Sequence, residues 1–241
     1  MRSGNRLLAL LAEDDFAAIA PYLEPHPLEV GATLLRPNVA VTHVYFVEEG
    51  MVSLVQLLEN GEFIETGIVG PEGMLGALVP LGATAFSHEA VVQISGRCVR
   101  MKANEMRREV ALRPELRDLL LRYVQALFSQ ISQSVVCNNQ HSLQRRLARW
   151  LITGSDCIEN NDLPLTHQLL STMLGVRRSS VTDALAIFKA NGLIKMHQGG
   201  VTIIDRANLQ AASCECYCVV RGEFQRLLGP TIFPSGRLLG G

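Results

Sequence analysis

No stretch of this 241-residue chain approaches the ~18 consecutive apolar residues that a membrane-spanning helix needs. The apolar run at residues 7–12 leads straight into Glu13, Asp14 and Asp15, too short and too acidic for a secretory leader. A cytoplasmic protein with no membrane partner is expected. Charged residues are few, at 19%, which excludes a disordered polyelectrolyte, while 48% apolar residues suffice for real cores. Cysteine is absent from residues 1–97. The six cysteines further on give a chain of this size no disulfide framework. Histidine is sparse in the front half, only His26, His43 and His88, with no two one residue apart. That removes the metal triad a small barrel enzyme would need, so no enzyme is expected.

The net charge of −1 conceals a split. Residues 1–137 hold 11 basic and 16 acidic residues, a net of −5. Residues 138–241 hold 11 basic and 7 acidic residues, a net of +4. An acidic front and a basic back point to two jobs, with a polyanion on the basic side.

From residue 30 to 101 the chain reads as short strands at 31–35, 44–47, 52–58, 63–69, 90–94 and 98–101. Breaks fall at Pro37-Asn38, Glu48-Glu49-Gly50, Glu59-Asn60-Gly61 and Gly70-Pro71. Asn60-Gly61 is a hairpin signal because both residues tolerate positive φ. Regular short strands with turn signals predict an antiparallel roll or barrel, preceded by a helix near 5–20. After Asn104 the period changes. Leu116, Leu120, Val124, Leu127, Ile131 and Val135 recur every three or four residues, and Leu112, Leu119 and Tyr123 widen the stripe. With no Gly or Pro between 115 and 137, one continuous helix is predicted. Its stripe has room for two contacts, one with the roll and one with a partner helix; a single helix packed inside one domain is the other reading. A second helix runs to about residue 152 with Leu143, Leu147, Trp150 and Leu151 inside. Residues 154–162 read as a polar loop.

Thr166 is a helix N-cap candidate, and a short helix ends at Gly175. A second starts near Arg178 and ends at Asn191-Gly192, with Val181, Ala184, Leu185 and Phe188 on one face. Two helices crossing steeply need a small side chain at the crossing, a turn residue tolerant of left-handed backbone, and a branched anchor beneath. Ser171, Gly175 and Val181 supply these, which is the helix-turn-helix requirement. Two strands at 193–196 and 201–204, joined through His197-Gln198-Gly199-Gly200, would complete a winged helix.

From about residue 10 to 210 the chain resembles the bacterial transcription regulators related to the cyclic-AMP receptor protein and the fumarate–nitrate reduction regulator. The resemblance rests on residues 43–52 (HVYFVEEGMV), residues 70–76 (GPEGMLG) and the helix-turn-helix between Leu165 and Ile194. It implies an α+β chain: a sensor β-roll at 1–110, a central dimerisation helix at 111–137, and a winged helix-turn-helix domain at 138–241. It implies a homodimer paired through residues 112–136 on a two-fold site in double-stranded DNA, with RNA polymerase as a further candidate partner. Arg178 matches the family's guanine-reading arginine, since a guanidinium can bridge the O6 and N7 of guanine. Ser179, Thr182 and Asp183 share its outer face. Ser179 and Asp183 stand where relatives often carry glutamate and arginine, so a different operator sequence is expected. Thr166, Gln168, Arg177, Ser180, Lys195, His197 and Gln198 are placed for phosphates, which set register without reading sequence.

The effector pocket departs from the family. Residues 85–89 read Ala-Phe-Ser-His-Glu where cyclic-nucleotide binders carry arginine followed by serine or threonine. Phe86 replaces the guanidinium that would pair with the cyclic phosphate, and Glu89 adds negative charge, so no tight cyclic-nucleotide binding is expected. The resemblance still marks Gly70, Glu72, Gly73, Met74, Ser87, His88, Gln130 and Ser134 as pocket residues. Glu72 could hold a ribose hydroxyl or cap backbone amides of its own turn. Gln130, Gln133 and Ser134 could touch an effector or simply lie exposed. The cysteine-free N-terminus does not suit an iron–sulfur relative, and His88 alone stands where a haem ligand would be needed. A constitutive regulator with a scaffold-only roll and a redox or haem sensor are the alternatives. In a terminal helix over 211–228, Cys214 and Cys218 would share a face and Cys216 would point away. Such thiols could hold half a metal site or react with oxidants. The reading adopted is that they serve as small apolar residues, with no metal and no cofactor.

Overall fold

The structure is a computed structural model that describes residues 3–59 and 61–233. Leu7 and Leu8 are buried in the first core, Leu8 within a 3-10 turn, before helix α1 (Glu13–Ile19), whose first turn carries Glu13, Asp14 and Asp15. Three carboxylates at a helix N-terminus complement its dipole. The roll is an antiparallel sheet in the order β1 (Glu24–Leu28), β6 (Glu89–Lys102), β3 (His43–Leu57), β4 (Phe63–Val69). Strand β2 (Thr33–Leu35) pairs with β6, and β5 (Met74–Leu75) pairs with β3. β1 carries Pro25 and Pro27 and gave no strand signal. As an edge strand it has one side without ladder partners, where proline's missing N–H does little harm.

The expected break at Glu48-Glu49-Gly50 is not a turn. β3 is one 15-residue strand whose register against β6 shifts between Val47 and Glu49 and again between Glu49 and Met51. β6 likewise unites the segments expected at 90–94 and 98–101. Gly50 has φ 94°, and a Cβ there would lie 2.6 Å from the Ile94 carbonyl oxygen. The glycine permits a β-bulge, and the continuous partner strand keeps the ladder together across it. The β3–β4 hairpin closes as expected, with Leu57 opposite Phe63 and Gly61 at φ 82°. Asn60 lies outside the described residues.

Helix α2 (Ala103–Leu112) precedes the 27-residue α3 (Pro114–Gln140), and Pro114 takes the first helical position, where its missing N–H costs nothing. Leu116, Leu119, Leu120, Tyr123 and Ala126 bury one face against the roll. Leu112 and Val135, members of the apolar stripe, are exposed, as are Leu121 and Phe128. Leu121, Phe128 and Val135 recur at seven residues on α3's outer side. Helix α4 (Leu143–Asp156) buries Leu147, Trp150 and Leu151 as its pattern requires. The polar loop that follows ends in strand β7 (Asp162–Leu163), which adds a third strand beside β9 (Gly200–Ile203) and β8 (Ile194–His197). Helices α5 (His167–Leu174) and α6 (Arg178–Ala190) form the helix-turn-helix. After α7 (Arg206–Ala211), helix α8 (Cys216–Leu228) returns to pack along α3. Its Phe224, Leu227 and Leu228, with Ile232 and Phe233, join the roll's core. The second core centres on Trp150 and Phe188 and takes in Met51, Val55, Ile68 and Ile94 from the roll, so head and roll share apolar packing. The architecture is α+β. Among the described residues no helix is long and apolar enough to cross a membrane.

Candidate nucleic-acid interface and effector cavity

The Thr166 hydroxyl accepts the Leu169 N–H at 3.1 Å and starts α5. Ser171 is buried where the two helices cross, its hydroxyl donating to the Gln168 carbonyl at 2.8 Å, so the small polar residue leaves no unmet donor there. Gly175 stops α5 in left-handed backbone, φ 63° and ψ 42°. The Arg146 guanidinium donates to the Leu174 carbonyl at 2.6 Å, placing a cation on the negative end of α5. Val181, Ala184, Leu185 and Phe188 are buried beneath α6, which leaves Arg178, Ser179, Thr182 and Asp183 exposed at its start. Arg177, Thr166 and Gln168 are exposed beside them, and Ser180 is half-buried. Sequence reasoning missed His167, whose Nδ1 lies 2.9 Å from the Thr182 hydroxyl and ties α5 to α6. The signal was only two polar residues 15 apart.

On the wing, Lys195, His197 and Gln198 are exposed. His197 Nε2 lies 2.6 Å from Asp162 Oδ1, which also accepts the Thr202 hydroxyl at 2.9 Å. The Asp162 carboxylate raises the imidazole's pKa, and the imidazole lowers that of Asp162. The charged imidazole favoured in this way would suit a phosphate, though its Nε2 is already engaged.

The marked pocket residues divide. Gly70, Glu72, Gly73, Met74, Gln130 and Ser134 are buried near the junction of the roll with α3. Glu72 Oε1 accepts the Gly70 N–H at 3.2 Å, the turn-capping role open to it, and burial raises its pKa against the opposing charge of Arg6. Gly73 sits under the Tyr123 ring, and the Tyr123 hydroxyl both accepts the Met74 N–H and donates to the Met74 carbonyl, each at 3.0 Å. Gln130 Oε1 accepts the Ile68 N–H at 2.8 Å, and Ser134 donates to the Gln130 carbonyl. The exposed reading of Gln130 and Ser134 is therefore corrected: α3 lies against β4, and that contact covers them. Ser87 is exposed, and half-buried His88 stacks 5.1 Å from the buried Phe86 ring, its pKa lowered by burial.

Glu72, Gln130 and Ser134 line a cavity of about 40 Å³, which Glu65, Arg149 and Arg221 help to close. Such a space holds about three waters; drug-sized ligand pockets run to ~300 Å³ or more. Two further buried carboxylates border it beside Glu72. Glu65 accepts the Ser53 hydroxyl at 2.5 Å and the Trp150 indole N–H at 3.1 Å, and burial pushes its pKa up to about 7. Asp156 accepts from Arg206 at 2.8 Å, Arg221 at 2.9 Å and the Tyr217 hydroxyl at 2.8 Å, binding α8 to α4. Neither carboxylate had a sequence motif to reveal it.

The expected pairing of Cys214 with Cys218 is overturned. Helix α8 begins only at Cys216, so Cys214 belongs to the preceding turn and helical spacing does not relate the two. Cys218 is exposed, while Cys214 and Cys216 are buried with Cys137. The Cys137–Cys214 contact lowers the pKa of the Cys137 thiol and raises that of Cys214.

Residues 25–112 match the cyclic nucleotide-binding domain, and residues 145–212 match the Crp-like helix-turn-helix domain. The global nitrogen regulator of Synechococcus elongatus is 25% identical over 212 residues, 83% of this chain and 94% of that protein. The CRP-like cAMP-activated global transcriptional regulator of Mycobacterium tuberculosis is 24% identical over 200 residues, 80% of this chain and 89% of that protein. The fold is shared with FixK2 of Bradyrhizobium japonicum, at a TM-score of 0.68 and 13% identity, covering 80% of this chain and 98% of that one. Both domain models match in the order in which the roll and the winged head are built, and the relatives are regulators rather than enzymes. The chain belongs to the CRP/FNR family of transcriptional regulators, with a helix-turn-helix DNA-binding domain.

Proposed function

We propose that the protein acts in the cytoplasm as a homodimer on a two-fold operator, with three parts: a roll at 1–110, a pairing helix at 111–137 and a DNA-reading head at 138–241. The observation that carries this reading is the pair of open faces, Leu121, Phe128 and Val135 on α3 and Arg178, Ser179, Thr182 and Asp183 on α6. An apolar seam repeating every seven residues favours a second copy of the same helix. Two heads one helical turn apart, ~34 Å, would then enter successive major grooves. Arg178 reads a guanine, and Ser179, Thr182 and Asp183 tune the neighbouring bases. Thr166, Gln168, Arg177, Ser180, Lys195, His197 and Gln198 set register on phosphates. RNA polymerase is the protein partner expected beside the operator.

The roll does not bind cyclic nucleotides. Phe86 in place of a phosphate-pairing arginine supports this, as does a cavity of about 40 Å³ closed from one side by α8. The same small cavity favours a second reading, in which the roll is a scaffold and DNA binding is constitutive. Genome-wide mapping of bound sites, with and without oxidant, tests the proposal: a palindromic operator is expected. A pure protein that stays monomeric and prefers no promoter fragment over random DNA would overturn it. Calorimetric titration with cyclic AMP and cyclic GMP tests the roll, where micromolar binding would refute its assignment.

A further inference from the structure

The end of α3 and the start of α8, with the turn before it, bring four soft donors together. The Sγ atoms of Cys137, Cys214 and Cys216 and a ring nitrogen of His141 all lie within 4.8 Å of one another. Cys137 Sγ is 3.5 Å from Cys214 Sγ, and Cys216 Sγ is 3.5 Å from His141 Nδ1. We propose that Cys137, His141, Cys214 and Cys216 form a four-coordinate Zn²⁺ site that fastens α8 to the end of the long helix.

The geometry fits one ion. A tetrahedron with Zn–S bonds of ~2.3 Å has sulfurs ~3.7 Å apart, close to the spacing of these donors. Three sulfurs and one imidazole suit Zn²⁺ and exclude Mg²⁺ or Ca²⁺, which require oxygen. Cys137 and His141 are four residues apart and meet at the helix end, while Cys214 comes from the turn before α8 and Cys216 from its first position. The three cysteines are at most 2% exposed and form a small buried cluster of their own, so water does not compete for the site.

The surroundings orient the donors. His141 Nε2 lies 3.1 Å from Glu215 Oε1, so an Nε2–H donated to that carboxylate leaves the Nδ1 lone pair directed at Cys216. A carboxylate behind a histidine is the usual support of a metal-bound imidazole. Gln133 donates an N–H to Cys216 Sγ at 3.2 Å, a bond that a thiolate strengthens. Arg145 sits 3.7 Å from Glu215 and offsets that carboxylate, while Arg149 bears on Cys137 and offsets the net −1 of three thiolates around Zn²⁺. On binding, three thiols release their protons to solvent, four ligand bonds form, and no electron moves.

Ser142, the residue that precedes α4, follows His141 directly. The ion would therefore set both the seat of α8 and the angle at which the DNA-reading head leaves α3.

The full chain, purified with a reductant and stripped by a chelator, is titrated with Co²⁺ and then Zn²⁺. One Co²⁺ per chain is expected, with the visible bands of tetrahedral coordination and a thiolate charge-transfer band, displaced mole for mole by Zn²⁺. Cys137→Ala and Cys216→Ala should abolish the spectrum, Cys218→Ala should leave it intact, and Glu215→Gln, a surface change, should weaken the affinity about 10–100-fold. Circular dichroism checks that each variant folds. A featureless titration, equal Co²⁺ binding by Cys137→Ala, iron–sulfur absorption in the isolated protein, or a Cys137–Cys214 disulfide by thiol counting would each overturn the site.

Discussion

Arg178 opens α6 with its side chain exposed, and in the proposed reading its value lies in discrimination rather than in attraction to the backbone. Arg178→Ala should relax specificity at one base pair per half-site, a loss of about 1–3 kcal/mol against the preferred base, read from binding to an operator library. A loss equal on every sequence would reassign it to phosphate. Glu65 behaves in the opposite way, inside the protein. Its pKa rises from 4.5 to about 7 because burial disfavours the carboxylate more than Ser53 and Trp150 favour it. Between those values the folded chain holds a proton that the unfolded chain has lost. The stability from this group is complete below pH 4.5 and drains as pH climbs through 7. At 1.36 kcal/mol per unit the span is at most about 3 kcal/mol. Glu65→Gln, which keeps an acceptor for Trp150, should flatten the fall in melting temperature between pH 5.5 and 8; an unchanged slope would point to another group. Arg178 was legible because helical period and a turn glycine flank it. Glu65 was not, because its partner Trp150 lies 85 residues away and a lone glutamate in a strand has no pattern.

At the scale of elements, α3 shows how far periodicity goes. Its apolar stripe correctly announced a long helix and left open whether one neighbour or two would cover it. Which stripe residues face the roll and which stay open, as Leu112 and Val135 do, periodicity did not decide, since two overlapping stripes share one helix. Phe128 is 69% exposed at the middle of the outer stripe. Phe128→Glu places a charge in the proposed seam without touching the core. It should shift the protein to monomer in sedimentation velocity and weaken operator binding, with far-ultraviolet circular dichroism unchanged. A variant that stays dimeric would move the interface elsewhere. β3 and β6 were misread for the opposite reason: Glu48-Glu49-Gly50 carries turn chemistry, yet a long antiparallel partner turned the local signal into a bulge.

Across the whole molecule, α8 joins parts that the sequence keeps far apart. It packs on α3, sends Phe224 into the roll's core, and places Arg221 on Asp156 of α4. Asp156→Ala would leave the Arg206 and Arg221 guanidinium groups short of their carboxylate in a buried setting. Breaking such a pair costs about 3–5 kcal/mol. Denaturant titration should show that loss, and limited proteolysis should cut near α8 sooner. Adding Arg221→Met should recover part of the stability; no recovery would mean that Asp156 acts through Arg206 and Tyr217 alone.

The sequence by itself determined the order of roll, long helix and winged head, because each is written in short-range periods, caps and turn glycines that act within a few residues. It also marked the exposed residues at the start of α6, which follow from knowing which side of that helix is apolar. Only the tertiary structure decided that Gln130 and Ser134 lie under the roll, that Glu65 and Asp156 bridge distant elements, and that Cys137 and His141 meet Cys214 and Cys216. Those pairings depend on where the chain returns after 50 residues or more, and the returning helix is held by apolar area that many different sequences could supply.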